Sequence, residues 1–189
     1  MKRVLQGFLI LTLIAGGAID ALCQEKEDGF QGFYKKPVIN LRLFGEDLSM
    51  VNNEREEYAS NLAAYAVKVV QDGKGNQKSL DLARKVLGLG LHLSPRNKKC
   101  VVANAQLARG VAPGRIAADY EPEVFARLLL ARGQLLEKNS KEINVTLARY
   151  FIDLAAIIDG RNEDAVYESE LRRIDQGDLS WKLLTGDKK

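Results

Sequence analysis

Two stretches of this chain repeat each other. Residues 82–102 and 147–167 align without a gap at an offset of 65 residues, and seven of the 21 aligned positions carry the same amino acid. The identical pairs are Leu82/Leu147, Ala83/Ala148, Arg84/Arg149, Leu89/Leu154, Arg96/Arg161, Asn97/Asn162 and Val101/Val166. Residues 57–70 also align with residues 123–136 after a shift of one residue. This self-similarity predicts two copies of one three-helix unit.

Each copy carries helix signals. Apolar side chains recur at steps of three and four. We expect Ser79 to cap the second helix, and Asn139 with Glu142 to form a reciprocal cap for the fifth. Pro122 suits the first turn of the fourth helix, and Gly160 suits a left-handed stop after the fifth. The predicted helices are residues 54–71, 79–93, 98–109, 122–138, 139–159 and 163–174.

The spacing of small and large residues resembles that of tetratricopeptide repeats. The first copy has Ala83, Leu87, Gly90 and Pro95, and the second has Ala148, Ile152, Ala155 and Gly160. Small residues allow two helices to cross closely, and proline ends a helix. The resemblance covers residues 54–175, and the offset is close to two units of roughly 34 residues. It implies a right-handed solenoid fragment with a concave face for a peptide or protein partner, and no catalytic residues.

The N-terminus has the layout of an export signal. Lys2 and Arg3 precede an apolar run over residues 8–19 that ends at Asp20, and this run is shorter than the roughly 20 apolar residues of a spanning helix. We predict a signal peptide over residues 1–23, cleaved after Cys23, and therefore a periplasmic or secreted mature chain. The alternatives are a membrane anchor, either by an uncleaved signal or by a lipid on Cys23.

Residues 24–53 form a separate segment between the signal and the helices. Its glycines and Pro37 interrupt any helical period, which favours a linker or a strap over the helical core. Residues 38–44 alternate apolar and polar side chains, so we expect a short extended piece there that lies on an apolar surface. A recognition strand is the alternative. The predicted helical-repeat domain covers residues 54–189.

Five side chains are candidate protein-binding residues. Lys99, Asn104, Gln106 and Arg109 form a polar set on the third helix that we expect to line the concave face. Trp181 belongs to an apolar cluster near the C-terminus, which is expected to cap the last helix pair. An interface role for Trp181 is the alternative, since such aromatic side chains often anchor contacts.

Two pairs of arginines, Arg84/Arg149 and Arg96/Arg161, recur at equivalent places of the copies. They either form ion pairs that tie neighbouring helices together or bind the carboxylates of a partner. The sequence leaves both interpretations open, and the structural role is favoured.

The composition offers little catalytic chemistry. His92 is the only histidine, so we expect neither a catalytic base nor a metal site, and place it on a helix flank. Cys100 aligns with alanine in the other copy, which indicates a buried and inert thiol. With 28 basic and 25 acidic side chains, the net charge of +3 lacks the concentrated positive field of a nucleic-acid binder. No cofactor is expected.

Together these features predict an all-α fold in which antiparallel helical hairpins stack as a short tetratricopeptide-like solenoid of about six helices. The predicted function is that of an exported scaffold or adaptor for protein–protein interaction, with no enzymatic activity and no membrane-spanning helix in the mature chain. The alternatives are a self-associating structural envelope protein and an enzyme or ligand-binding helical domain.

Overall fold

The computed structural model describes residues 30–39, 43–44, 47–139 and 141–187. Within these ranges the chain is all-helical, with seven helices and no strand. The predicted signal peptide, residues 1–23, lies outside the described residues. The helices are α1 (Asn52–Asp72), α2 (Gln77–Leu93), α3 (Lys98–Leu107), α4 (Pro122–Glu137), α5 (Glu142–Ile158), α6 (Glu163–Gln176) and α7 (Lys182–Thr185).

The helices form two units in chain order. In the first unit α1 and α2 make an antiparallel hairpin, and α3 packs against both. In the second unit α4 and α5 make the equivalent hairpin, and α6 packs mainly against α5. Tyr58 of α1 joins the units, because its ring stacks on that of Phe151 at 5.1 Å and lies 6.1 Å from that of Phe125. Arg132 of α4 adds a hydrogen bond of 2.9 Å to Glu54 of α1.

The alanines of the duplicated helices are buried as the spacing predicts. Ala83 and Ala148 are both fully excluded from solvent, as expected for small residues at a close helix crossing. Asn97 and Asn162, again 65 residues apart, cap α3 and α6 in the same way. The side chain of each accepts a hydrogen bond from the backbone N–H three residues later, that of Cys100 or Ala165. The two units therefore share both a packing position and a capping position.

Several helix ends differ from their predicted positions. Asn76, and not Ser79, caps α2, and its Oδ1 accepts from the backbone N–H of Ser79. The prediction of a reciprocal cap for α5 is wrong. The N-cap residue of α5 is Lys141, whose side chain makes no capping hydrogen bond, and the amide of Asn139 donates to the hydroxyl of Ser49 instead. The φ of Gly160 is not positive, so this residue is not the left-handed stop that was predicted after α5. Pro122 does begin α4 as predicted.

A C-terminal segment, residues 177–187, crosses from the second unit to the first. On α5, Arg149 donates to the carbonyl oxygen of Gly177 at 2.8 Å, and Tyr150 donates to that of Ser180 at 2.8 Å. On α2, Arg84 donates to the carbonyl oxygen of Thr185 at 3.0 Å and to the carboxylate of Asp187. Both arginines thus have the structural role that the sequence favours.

An N-terminal segment, residues 30–39, lies over the first unit and meets the C-terminal segment. The buried ring of Tyr34 belongs to the core. The backbone N–H of Val38 donates to the carbonyl oxygen of Thr185 at 3.0 Å, and Lys35 forms an ion pair with Asp187 at 2.9 Å. Further along, Phe44 is also buried, but it lies in a turn, so the extended piece predicted over residues 38–44 does not continue to its end.

Candidate functional site

A connecting segment, residues 108–121, joins α3 to α4 and forms one wall of a cleft. The segment is not helical. Its sequence has no helical periodicity, and Pro113 has no backbone N–H to donate to a helix. Gln71 of α1 donates to the carbonyl oxygen of Pro113 at 3.0 Å, and Lys99 of α3 donates to that of Ala117 at 3.0 Å. These bonds hold the segment along α1 and α3.

One reciprocal pair fixes the end of the connecting segment. The amide of the buried Asn61 donates to the carboxylate of Asp119 at 3.0 Å, and its oxygen accepts from the backbone N–H of Asp119 at 3.0 Å. Next to it, the hydroxyl of Tyr120 donates to Glu57 at 2.7 Å. This hydrogen bond raises the pKa of Tyr120 above its usual value.

The cleft itself lies between α1, the connecting segment and the start of α4, and has a volume of about 330 Å³. Its lining mixes apolar side chains with charged ones at the rim: Asn61, Ala64, Tyr65, Val67, Lys68, Gln71, Asp72, Arg115, Ile116, Ala117, Ala118, Tyr120, Glu121, Pro122 and Phe125. Along α1 it extends from Asn61 to Asp72, about 16 Å at the rise of an α-helix. That length matches about five residues of an extended peptide.

The charges at the rim differ in how they are held. Lys68 and Asp72 form an ion pair of 2.8 Å one helical turn apart, and both are largely exposed, so the pair is screened by solvent. Arg115 and Glu121, from the opposite wall, are exposed. Burial raises the pKa of Tyr65 above its usual value, so this side chain contributes a neutral hydroxyl to the cleft.

The four predicted binding residues of α3 do not share one surface. Lys99 and Gln106 are seven residues apart and lie on the same side of the helix, and Lys99 contacts the connecting segment. Asn104 is rotated by about 140° from Lys99 and accepts a hydrogen bond from Tyr34 of the N-terminal segment at 2.8 Å. Arg109 lies beyond the end of α3 and is exposed. Their role in partner binding stays a prediction.

Trp181 lies in the interior and not on an open surface. It is 9% exposed, its ring meets that of Tyr150 edge-on at 5.1 Å, and its Nε1 donates to Asp153 at 2.8 Å. The C-terminal segment thus uses Trp181 to attach to α5, which fits the expected capping of the helices.

The two residues considered for chemistry are both buried. His92 is in the core, where its ring meets that of Phe44 edge-on at 6.0 Å; the expected helix-flank position is wrong, because residues 86–93 of α2 are buried on every side. Cys100 is fully buried, and its Sγ lies 3.1 Å from the carbonyl oxygen of Ala59. Burial raises the pKa of this thiol to about 12, so it is inert near neutral pH.

The sequence contained one unused signal for this site. The connection between α3 and α4 is 14 residues long, which exceeds the usual length of a helix–helix connection, and long connections in compact domains often carry function. A segment of this length has enough residues to form a wall of its own beside α1.

Across the described ranges, no cluster of acidic, histidine and cysteine side chains is suited to hold a metal ion. Nor does that part of the chain contain a helix with the length and apolar character needed to cross a bilayer. Comparison of the chain with protein-family models, curated proteins and solved structures found no match.

Proposed function

We propose that the chain is an exported helical scaffold, resembling tetratricopeptide repeats, that binds an extended segment of a partner protein in the cleft along α1 and has no catalytic activity. The observation that carries this proposal is the cleft. It is long enough for about five extended residues. Its lining combines apolar side chains with exposed charged ones.

The chemistry of the cleft favours a peptide of mixed character. Ile116 and Pro122 are partly exposed and offer apolar contact to side chains of the partner, while Gln71 and Tyr65 carry groups that can bond a peptide backbone. Lys68 and Arg115 sit on opposite walls, so both can approach a carboxylate of the partner. A segment with apolar residues and an acidic side chain is therefore the preferred occupant.

The test selects peptides from a displayed random library on the purified protein and measures their affinity for two variants. Ala64→Phe adds a ring at a buried position of the cleft lining, whereas Ala112→Phe adds the same ring at an exposed position of the connecting segment outside the lining. The circular dichroism of both variants is recorded, so that a loss of folding is recognised. Selected peptides should bind Ala64→Phe at least about tenfold more weakly. Equal binding to both variants, or no selected peptide at all, would contradict the proposal.

A small ligand is the second candidate for the same cleft. Its volume lies at the lower end of the range of small-molecule sites, about 300–1,000 Å³. Screening a library of small molecules by thermal shift tests this candidate. A small molecule that binds in the cleft should raise the melting temperature of the parent protein but not that of Ala64→Phe.

Export is a separate part of the proposal and has its own test. Determination of the N-terminal residue of the protein recovered outside the cytoplasm should give Gln24. A chain that retains Met1 favours a membrane anchor, and a mass increase on Cys23 favours lipidation.

A further inference from the structure

The outward face of α6 carries apolar side chains that the described residues leave exposed. Tyr167, Leu171 and Ile174 are 65%, 38% and 73% exposed. They are spaced four and three residues apart, so they form one stripe along the helix. Among the residues of α6 only Ala165 is buried, which leaves the stripe facing solvent.

Acidic side chains border this stripe. Glu163, Asp164, Glu170 and Asp175 are all exposed, and each lies three or four residues from a member of the stripe. In total α6 has five carboxylates and two arginines, a net charge of −3, whereas the whole chain has a net charge of +3. The face of α6 is therefore a local acidic surface with an apolar centre.

The equivalent face of α3 has the opposite charge. Sixty-five residues earlier, Val101 and Val102 are 45% and 44% exposed. Lys98 lies three and four residues before them, and Arg109 follows shortly after the helix; both are exposed. The helix α3 contains two lysines and no acidic residue. Its exposed side is thus a local basic surface that includes two half-exposed valines, but Gln106 and Arg109 stand where α6 has Leu171 and Ile174, so the apolar stripe itself is not repeated.

We propose that these two faces bind each other between copies of the chain, so that α6 of one copy packs on α3 of the next. Charge complementarity selects this pairing, because α6 against α6 brings carboxylates together and α3 against α3 brings ammonium groups together. Joining two different faces is a head-to-tail contact, which extends into a row of copies unless the rotation closes a ring.

The expected association is weak and salt-dependent. Ten residues of α3 span about 15 Å and fourteen of α6 about 21 Å, so a single helix-on-helix contact is smaller than a standard interface. The surface lies apart from the cleft lining and does not depend on peptide binding there. Association should therefore rise with protein concentration and fall with added salt.

The test is sedimentation velocity over a range of concentrations, on protein purified from cells that express the full-length chain. Two charge-reversed variants are compared with it: an acidic-face variant with Glu170→Lys and Asp175→Lys, and a basic-face variant with Lys98→Glu and Arg109→Glu. The matched control carries Lys78→Glu and Lys138→Glu, two exposed lysines outside both faces. The helical circular dichroism of every variant is recorded, so that a loss of folding is recognised.

Each variant alone should need at least about tenfold higher concentration to associate, because both of its faces then carry the same sign. An equimolar mixture of the two should associate again, since the reversed face of one complements the reversed face of the other. The control should behave like the parent. A parent chain that stays monomeric at every concentration, variants that associate as well as the parent, or a mixture without recovery would overturn the proposal.

Discussion

Gly90 and Cys100 give a sharp test of how the first unit is packed. A Cβ added to Gly90 would lie 2.7 Å from the Sγ of Cys100, which is too close for two non-bonded atoms. The equivalent residues of the second unit are Ala155 and Ala165, and both are fully buried. The two units therefore carry different side chains at the same two buried positions: glycine and cysteine in the first unit, and alanine at both positions in the second.

The expected energies follow from this contact. Gly90→Ala gains about 1 kcal/mol of helix propensity and loses about 1–3 kcal/mol by overpacking, so a net loss of about 1 kcal/mol in the free energy of unfolding is expected. Cys100→Ala removes one buried sulfur and costs about 1 kcal/mol. In the double variant the new Cβ occupies the space that the sulfur leaves. Its stability should be close to that of the parent, which corresponds to a coupling energy of about 2 kcal/mol.

Urea unfolding followed by circular dichroism measures the four free energies. Gly160→Ala serves as the control, because the nearest neighbour of its added Cβ is 3.8 Å away. If the two single changes add within about 0.5 kcal/mol, Gly90 and Cys100 are not in contact, and the packing described for α2 and α3 is wrong.

Three further outcomes are expected. Ala83→Leu should cost about 1–3 kcal/mol in urea unfolding, and Ala131→Leu at an exposed helix position close to nothing; equal effects would contradict the burial of Ala83. The hydrogen bond from Arg84, then that from Lys35, lowers the pKa of Asp187 from its usual 3.8, so its contribution to stability is present above about pH 4 and lost on acidification. Asp187→Asn should therefore lower the free energy of unfolding at pH 7. Between pH 7 and pH 3 the variant should then lose less stability than the parent. The thiol of Cys100 should react with a thiol reagent only after unfolding; rapid reaction in native protein would show that it is accessible.

Local signals predicted the helices well but not their first residues. The stretch from Asn76 to Ser79 offers two residues that can cap a helix, and both have suitable side chains. The longer helix begins with the cap of Asn76, and it also includes Gln77, whose side chain accepts from the backbone N–H of Phe33 and donates to its carbonyl oxygen. That bond joins residues 44 positions apart, and no local pattern contains it.

Contacts between distant parts of the chain also explain why two of the candidate binding residues lie against other parts of the same chain. Asn104 and Trp181 have the polar and aromatic character of interface residues, and no local pattern predicts their hydrogen bonds to Tyr34 and Asp153 within the chain. In contrast, the burial of Cys100 followed from its alignment with Ala165, since equivalent positions of a duplicated unit meet similar surroundings.

The C-terminal segment also affects the order in which this protein can reach its native state. Arg84 finds its carboxylate partner 103 residues later in the chain. During synthesis, when the N-terminal part emerges first, the α1–α2 hairpin can assemble early, but the guanidinium of Arg84 pairs only once Asp187 has been made. A translation product that stops short of Asp187 would therefore leave this cation without its carboxylate partner, so premature termination would destabilise the unit that was made first.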